Sequence, residues 1–440
     1  MSGKILASMA QNGEKPERLL PDDVRAAGQE NHHLVLGPGP ALEAAWQAAG
    51  LELPDPSAMR DYRLERVRQQ MIDMGYEGAI LLDPMNIRYA TDSTNMQVWV
   101  SHNPSRYCWV GADGSLILWE FFECDFLSAH NPHVQEVRPA ISSLYFIAGN
   151  RHEEKAKAWA AEMLGVIGEH CGPKPKIAVD YLGYLEYQAL DAAGISVGSG
   201  LEMMELARRI KGPDEIKAMR CAVHGCEAAM AEMREALRPG MTEREVWALL
   251  HAGNIKRGGE WIETQILSSG PRTNPWMQEA SSRVIQEDEI LAYDTDLVGA
   301  YGMMCDISRS WLVGDGKPNG SQQNVFDLAH HQIEHNSALL TPGRTFHELT
   351  HQSWVPPIDE YRHYCSNYHG VGQCDEYPDI FFPHMWDQSG YDGVLEPGMV
   401  LTTEAFVGSR HGGEGIKLEE QYLVTEGAPE RLSTFPIGLV

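Results

Sequence analysis

Apolar residues follow a helical spacing early in the chain and a strand-like spacing soon after it. Leu64, Val67 and Met71 recur at steps of three and four, which predicts the buried face of an α-helix that ends at Gly75. Short apolar runs and one further helical pattern follow, over residues 79–82, 115–121, 153–166 and 177–180. This alternation of helices and strands predicts an α/β domain over residues 61–205.

A second pattern begins at Pro213, a residue type that suits the first turn of a helix. Apolar residues then recur at steps of three and four as far as Leu237, which predicts one long amphipathic helix. Short strand-like runs and glycine-rich turns dominate the remainder, with one helical insertion over residues 324–340. We therefore predict a second domain over residues 206–440, and a mixed α/β (α+β) fold for the whole chain.

Composition excludes several classes of protein. The 440 residues carry 62 acidic and 35 basic side chains, a net charge of −27, so a nucleic acid is not the expected partner. No apolar run reaches the roughly 20 residues that span a membrane, and the start of the chain has no secretory pattern. Eight cysteines without a CxxC pair suggest reduced thiols, and we expect a cytoplasmic protein. Residues 1–60, rich in Gly, Pro and Ala, predict an irregular arm that wraps a partner subunit.

Three aspartates give the strongest chemical signal. Asp294 and Asp296 lie two residues apart, so a strand would place both carboxylates on one face. Asp306 lies in a second apolar segment that is reached through Gly299 and Gly302, as in the second strand of a hairpin. Three carboxylates directed at one point repel each other, and a divalent or trivalent cation removes that conflict.

Further candidate ligands follow in apolar, strand-forming segments: His369, Glu404 and Glu419. Any one of these acids, taken alone, is also explained as a solvated or salt-bridged carboxylate. Periodicity does not show that they converge. A separate His331-Gln332-Ile333-Glu334-His335 run matches the HxxEH pattern of some zinc proteases, but Val325, Ala329 and Ile333 predict that the histidines face solvent.

Several motifs resemble the creatinase/methionine aminopeptidase/prolidase superfamily, over roughly residues 60–440. The motifs are Arg63-Leu64, Asp83-Pro84-Met85-Asn86-Ile87-Arg88-Tyr89, Pro239-Gly240-Met241-Thr242-Glu243, Ser269-Gly270-Pro271-Arg272-Thr273-Asn274 and the acidic segments above. The resemblance implies a creatinase-like N-terminal domain, a C-terminal pita-bread domain, and a pair of metal ions held by two Asp, one His and two Glu. Asp306, His369, Glu404 and Glu419 match four of those five ligands.

The sequence departs from the peptidases of this superfamily at three positions. Thr295 stands where their first metal-binding aspartate is expected, between Asp294 and Asp296. Their two catalytic histidines are replaced as well, because Trp276 follows Pro275 in one motif and Asp375 begins the other. These departures argue against peptidase activity.

The same departures resemble one branch of the superfamily, the DddP-type dimethylsulfoniopropionate lyases. That resemblance implies a homodimer with an iron site and assigns Asp375 as the catalytic base. Trp99, Tyr364 and His369 would bind the substrate. The metal ligands would be Asp294, Asp296, Asp306, His369, Glu404 and Glu419. An oxygen-rich set with one imidazole also suits manganese or zinc, and either one or two ions.

The resemblance implies that a small zwitterionic sulfonium compound, dimethylsulfoniopropionate, is cleaved to dimethyl sulfide and acrylate. Aromatic faces are suitable partners for the sulfonium cation. Two alternatives stay open from the sequence. One is a dinuclear metallopeptidase of the Xaa-Pro dipeptidase or aminopeptidase type, and the other is a non-catalytic binding module that keeps the pita-bread pocket.

Overall fold

The computed structural model describes residues 37–440, and these form two compact units. The N-terminal unit comprises residues 56–208, and the C-terminal unit comprises residues 37–55 together with residues 209–440. None of the helices in the described part of the chain is both long enough and apolar enough to cross a membrane.

The structure differs from the sequence prediction in part of the irregular arm. Residues 1–36 lie outside the described residues, but helix α1 (Pro40–Ala48) occupies the segment that follows. Pro40 is the first helical residue, where its fixed φ angle favours the helix and its missing N–H costs nothing. Trp46 of α1 is 2% exposed and packs beside Cys221 and Ala300, so the helix is part of the C-terminal unit's core.

A six-stranded mixed sheet forms the centre of the N-terminal unit, in the order β4-β3-β2-β1-β5-β6. The elements are α2 (Pro56–Asp73), β1 (Gly78–Leu81), α3 (Pro84–Thr91), α4 (Gln97–His102), β2 (Tyr107–Gly111), β3 (Leu116–Glu120), β4 (Glu136–Pro139), α5 (Tyr145–Ala148), α6 (His152–His170), β5 (Lys176–Val179), α7 (Tyr184–Ala192), β6 (Ser196–Ser199) and α8 (Gly200–Arg208). Successive side chains of β1 point to opposite faces of the sheet. Ala79 and Leu81 join a core with α2 and α8, whereas Ile80 joins a core with α6. Helices therefore cover both faces, as the predicted α/β alternation requires.

The C-terminal unit begins with two helices and continues mostly as antiparallel sheet. Its elements after α1 are α9 (Pro213–Ala236), α10 (Glu243–Lys256), β7 (Trp261–Ile262), β8 (Leu267–Ser269), β9 (Ile290–Tyr293), β10 (Leu297–Val298), β11 (Met304–Cys305), β12 (Arg309–Leu312), α11 (Gly320–Ser337), α12 (Phe346–Gln352), β13 (Tyr361–Arg362), β14 (Tyr368–Val371), β15 (Asp375–Ile380), α13 (Trp386–Ser389), β16 (Val400–Ser409), β17 (Gly415–Leu423) and β18 (Glu430–Arg431). The largest sheet has the order β15-β14-β16-β17-β18, and β13 pairs with β16. Two three-stranded sheets have the orders β11-β10-β7 and β12-β9-β8.

Strand β17 has a different charged arrangement on each of its two faces. Glu420 points to the face opposite that of Glu419, and its carboxylate pairs with the guanidinium groups of Arg309 and Arg431. The side chains of Arg309 and Glu420 are both 0% exposed. Carbonyl oxygens of Pro436 and Phe435 accept further hydrogen bonds from Arg309. This buried pair ties β12 to β17, the two strands that flank the candidate site.

We expect Glu420→Gln to lower the free energy of unfolding by about 3–5 kcal/mol, because it leaves a buried guanidinium without its main counter-charge. Equilibrium urea unfolding measures this change. Glu334→Gln is the matched control, since Glu334 is 60% exposed and its ion pair within residues 37–440 is with His330 at 3.7 Å. It should change stability by less than about 1 kcal/mol. Equal effects of the two substitutions would contradict the structural role of the Arg309–Glu420 pair.

Candidate metal centre

The three aspartates predicted from the sequence lie in an interrupted hairpin. Strand β9 pairs with β12, and β10 pairs with β11, but residues 294–296 and 306–308 between them leave the ladder. Asp306 therefore lies opposite the first two aspartates, as the hairpin prediction requires. The prediction that Asp294 and Asp296 lie on one face of a regular strand was wrong. The strand ends before them, and Asp296 has a φ of 36°, in the left-handed region.

Thr295 holds the interruption together. Its hydroxyl donates a hydrogen bond to the Cys305 carbonyl at 3.0 Å and accepts one from the Ile307 N–H at 3.0 Å. The side chain therefore replaces backbone hydrogen bonds that the broken ladder does not make. Thr295 is 0% exposed. Thr295, at the position of the peptidases' first aspartate, therefore hydrogen-bonds the backbone, and the carboxylate of its neighbour Asp294 lies among the candidate ligands.

The two glutamates lie directly opposite each other on neighbouring strands. Glu404 of β16 pairs in register with Glu419 of β17, and the side chains are 1% and 0% exposed. Two like charges in such a cross-strand pair are destabilising unless a cation lies between them. Gln421, on the same face of β17, accepts a hydrogen bond from the Asp306 N–H at 3.0 Å and connects the strand to the hairpin.

His369 of β14 lies at the point where the acids converge. Its Nε2 atom is 3.2 Å from Glu404 Oε1, 3.5 Å from Glu419 Oε1 and 3.6 Å from Asp306 Oδ2. Ligand atoms bound to one ion at about 2.0–2.2 Å lie roughly 3–3.5 Å from each other, so this spacing fits a shared metal ion. Glu419 Oε1 is buried and has no hydrogen-bond partner among the described residues, which leaves it free to bind a cation.

The ligand atoms form overlapping triads in which every pair lies within 4.8 Å: His369, Glu404 and Glu419; Asp294, Asp306 and Glu419; Asp306, His369 and Asp375. Glu419, Asp306 and His369 each belong to two of them. The set therefore has room for one ion or for two neighbouring ions. Asp296 belongs to none of these triads, and its Oδ2 atom accepts a hydrogen bond from Thr264.

Asp375 differs from the other acids in its exposure. Its side chain is 51% exposed, whereas Asp294, Asp296, Asp306, Glu404 and Glu419 are at most 7% exposed. Asp375 Oδ1 lies 3.5 Å from His369 Nδ1, on the side of the imidazole that faces away from the glutamates. Partial desolvation by the surrounding protein raises the pKa of the Asp375 carboxyl above its usual value, although the charge of His369 opposes that change.

Electrostatics within the cluster reflect carboxylates that lack a sufficient counter-charge. Burial and the neighbouring Glu419 raise the pKa of Asp294 to about 6 and the pKa of Glu404 to about 8. Burial, with the charge of Glu419 next, raises the pKa of Asp306 well above its ordinary range. The pKa of Glu419 itself is lowered despite burial, because Lys417 and His369 stabilise its charge. A metal ion would stabilise the ionised forms of all four acids.

Sequence reasoning missed Lys417 as a member of this site. Its ammonium lies 2.6 Å from Glu404 Oε2, 3.0 Å from Asp294 Oδ2 and 3.0 Å from Glu419 Oε2, and the side chain is 0% exposed. The signal was present in the sequence, because Lys417 lies two residues before Glu419 in an apolar strand and must share its face. Tyr364 is placed at the site as well, with its ring centroid 4.7 Å from the ammonium.

The remaining sequence candidates are Trp99 and the two histidines of the HxxEH run. Trp99 belongs to the N-terminal unit, where its ring packs against Phe121 and Phe146 at 5.8 and 6.2 Å, and its role in substrate binding stays a prediction. His331 and His335 of the HxxEH run are exposed on α11 and belong to none of the metal triads formed by the described residues. The surface-helix interpretation of that run is confirmed, since Val325, Ala329 and Ile333 are buried.

The chain is similar in sequence to proteins of a known family. The model of metallopeptidase family M24 matches residues 217–426, which include every candidate ligand. The dimethylsulfoniopropionate lyase DddP of Roseovarius nubinhibens is 46% identical over 92% of this chain and 93% of its own length. The DddP protein of Roseobacter denitrificans is 43% identical over 92% of each chain.

Solved structures show the fold independently of sequence identity. The Xaa-Pro dipeptidase from Bacillus anthracis superposes with a TM-score of 0.69 at 22% identity, over 86% of this chain and 98% of that chain. The prolidase from Pyrococcus horikoshii gives a TM-score of 0.67 at 21% identity. The predicted mixed α/β fold of the pita-bread class is therefore confirmed. This chain is an enzyme of metallopeptidase family M24, and it belongs with the DddP proteins in that family.

Proposed function

We propose that this enzyme is a metal-dependent lyase that cleaves dimethylsulfoniopropionate to dimethyl sulfide and acrylate. Two relatives that carry that activity in their names cover 92% of the chain at 46% and 43% identity. The observation that carries the proposal is the unequal exposure of the carboxylates. Five are buried, and four of these belong to the triads of candidate ligand atoms, while Asp375 beside them has an exposed side chain that a substrate can reach.

The residues present fit a resident metal ion. Asp306, His369, Glu404 and Glu419 would hold it, with Asp294 and Asp296 on the hairpin side, and it would polarise the substrate carboxylate as a Lewis acid. Oxygen ligands with one imidazole suit iron, which we propose as the native metal, and also manganese or zinc.

Asp375 is the proposed general base. Its carboxylate would remove a proton from the carbon next to the substrate carboxylate, and its raised pKa favours that transfer. The electron pair of the broken C–H bond forms the C=C bond of acrylate. The C–S bond breaks at the same time, and its electron pair leaves with sulfur, so the sulfonium departs as neutral dimethyl sulfide. A neutral leaving group needs no proton, which suits a site without a second imidazole.

The peptidase alternative is less well supported by the residues around the centre. Trp276 occupies the position at which the resembling peptidases carry a histidine. It is 7% exposed and stacks on Phe406 at 5.8 Å, within the core. Asp375 occupies the position of their second histidine. Neither imidazole that would assist peptide cleavage is therefore present at its expected place.

We further propose that the enzyme is a cytoplasmic homodimer and that Tyr364 and Trp99 contact the substrate sulfonium. All eight cysteines are free thiols, which fits a reducing compartment. Tyr364 is half-buried beside the carboxylates, where an aromatic face stabilises a cation by about 0.5–2 kcal/mol.

Metal removal should abolish dimethyl sulfide release, and reloading with Fe(II) should restore it. Asp306→Asn should lower the metal affinity and the activity together. Loss of a group that only orients a metal ligand costs about 10–100-fold, so loss of a ligand itself should cost at least about tenfold. Elemental analysis and headspace gas chromatography measure the two quantities. Asp327→Asn, an exposed aspartate on α11, is the control and should keep both. Full turnover by stripped protein would contradict the proposal.

Asp375→Asn should lower kcat for dimethylsulfoniopropionate by about 10²–10⁴-fold and leave the metal content unchanged, because the residue would act on the substrate proton. Asp379→Asn is the matched control, four residues along the same strand and also exposed. Each variant is assayed in parallel with a Xaa-Pro dipeptide. Release of proline without dimethyl sulfide from the wild-type enzyme would establish the peptidase instead.

A further inference from the structure

Lys417 is a cation built into the candidate centre. Besides its three carboxylate contacts, its Nζ atom lies 2.7 Å from the Ser308 hydroxyl, and the side chain is fully buried. Ser308 Oγ lies 2.6 Å from Asp294 Oδ1 and 2.9 Å from Glu419 Oε2. Lysine and serine therefore form a polar layer directly behind the candidate ligands, on the side away from His369.

The contacts of Lys417 divide the two oxygens of each glutamate between two tasks. Glu404 Oε2 faces the ammonium, while Glu404 Oε1 faces His369 Nε2 at 3.2 Å. Glu419 Oε2 likewise faces the ammonium at 3.0 Å, while its Oε1 lies 3.5 Å from the same imidazole nitrogen. One oxygen of each glutamate is thus held by the protein, and the other is presented to the cation site.

Aromatic rings restrict where the ammonium can go. The ring centroid of Tyr364 lies 4.7 Å from Nζ, and that of Trp276 lies 5.9 Å from it. Both distances are within the range of cation–π attraction, which strengthens when the cation is desolvated. The stem of Lys417 comes from the middle of β17, opposite Phe406 of β16. The ammonium is therefore fixed from its strand, from the carboxylates and from the rings.

We propose that Lys417 is a positioning residue that sets which oxygens of Asp294, Glu404 and Glu419 face the metal, so that the ligand geometry exists before the ion binds. The inference rests on the proposed metal site and is independent of the substrate. Groups that orient metal ligands from behind typically contribute 10–100-fold to metal affinity or activity. Lys417 differs from most such groups because it is itself positively charged. If the ammonium only competed with the metal for the carboxylates, it would weaken metal binding.

A positioning residue and a competitor for the carboxylates predict opposite results for Lys417→Met, which keeps the apolar stem and removes the charge. If Lys417 positions the ligands, loss of its ammonium should weaken Co(II) binding about 10–100-fold. It should also change the visible absorption spectrum of the bound Co(II), which reports coordination geometry. It should also lower kcat more than it changes KM. Lys417→Arg, which retains charge and several donors, should recover much of the affinity. Tighter Co(II) binding by Lys417→Met, with an unchanged spectrum, would overturn the proposal.

Lys211→Met is the matched control, because Lys211 is also buried and pairs with Glu376 without contacting a candidate ligand. It should lower stability yet leave the Co(II) spectrum unchanged. If Lys417→Met does not fold, Ser308→Ala removes one contact of the ammonium and should shift the spectrum in the same direction. Wild-type protein that binds no Co(II) would defeat the metal site itself. If the wild type and all Lys417 and Ser308 variants bind Co(II) with the same affinity and spectrum, the metal site stands and the positioning role of Lys417 is contradicted.

Discussion

The repulsion among buried carboxylates is the constraint on which the rest of the C-terminal unit depends. Asp294, Asp306, Glu404 and Glu419 converge with at most 3% of each exposed, and one buried lysine is the counter-charge within hydrogen-bonding distance of three of them. Burial of unpaired charge is expensive, so such a cluster is stable only with a cation or with protons taken up from solvent. The proposed function depends on that need, because a cation held this way would polarise a bound carboxylate.

The fold meets this constraint because neighbouring side chains of one element make different contacts. The Thr295 hydroxyl hydrogen-bonds the backbone of Cys305 and Ile307, which compensates for the ladder hydrogen bonds that the interrupted hairpin does not make. Strand β17 carries Glu419 and Lys417 on one face and Glu420 on the other, where Arg309 holds it. Within the cluster of acids around His369, Asp375 is the carboxylate whose side chain is exposed.

Much of this arrangement could be predicted from the sequence. Apolar periodicity gave the helices and the N-terminal sheet, because burial of one face follows the local period. Asp306, His369, Glu404 and Glu419 are candidate ligands because they lie in apolar, strand-forming segments, and the family resemblance implies that they share one metal site. Helix α1 was missed, since Gly and Pro mark helix starts as well as loops. The position of Lys417 two residues before Glu419 places both side chains on one face, but its contact with Asp294 depends on the pairing of distant segments. The role of Thr295 depends on the break in the hairpin ladder, which the local sequence pattern does not show.

A crystal structure of the metal-loaded enzyme, with anomalous scattering recorded at the absorption edge of the metal, tests the central claim most directly. We expect an anomalous peak from an ion bound by His369 Nε2 and by oxygens of Glu404, Glu419 and Asp306. The Lys417 ammonium should still lie behind the glutamates. A site without metal in protein that turns over dimethylsulfoniopropionate, or a metal bound elsewhere, would contradict it.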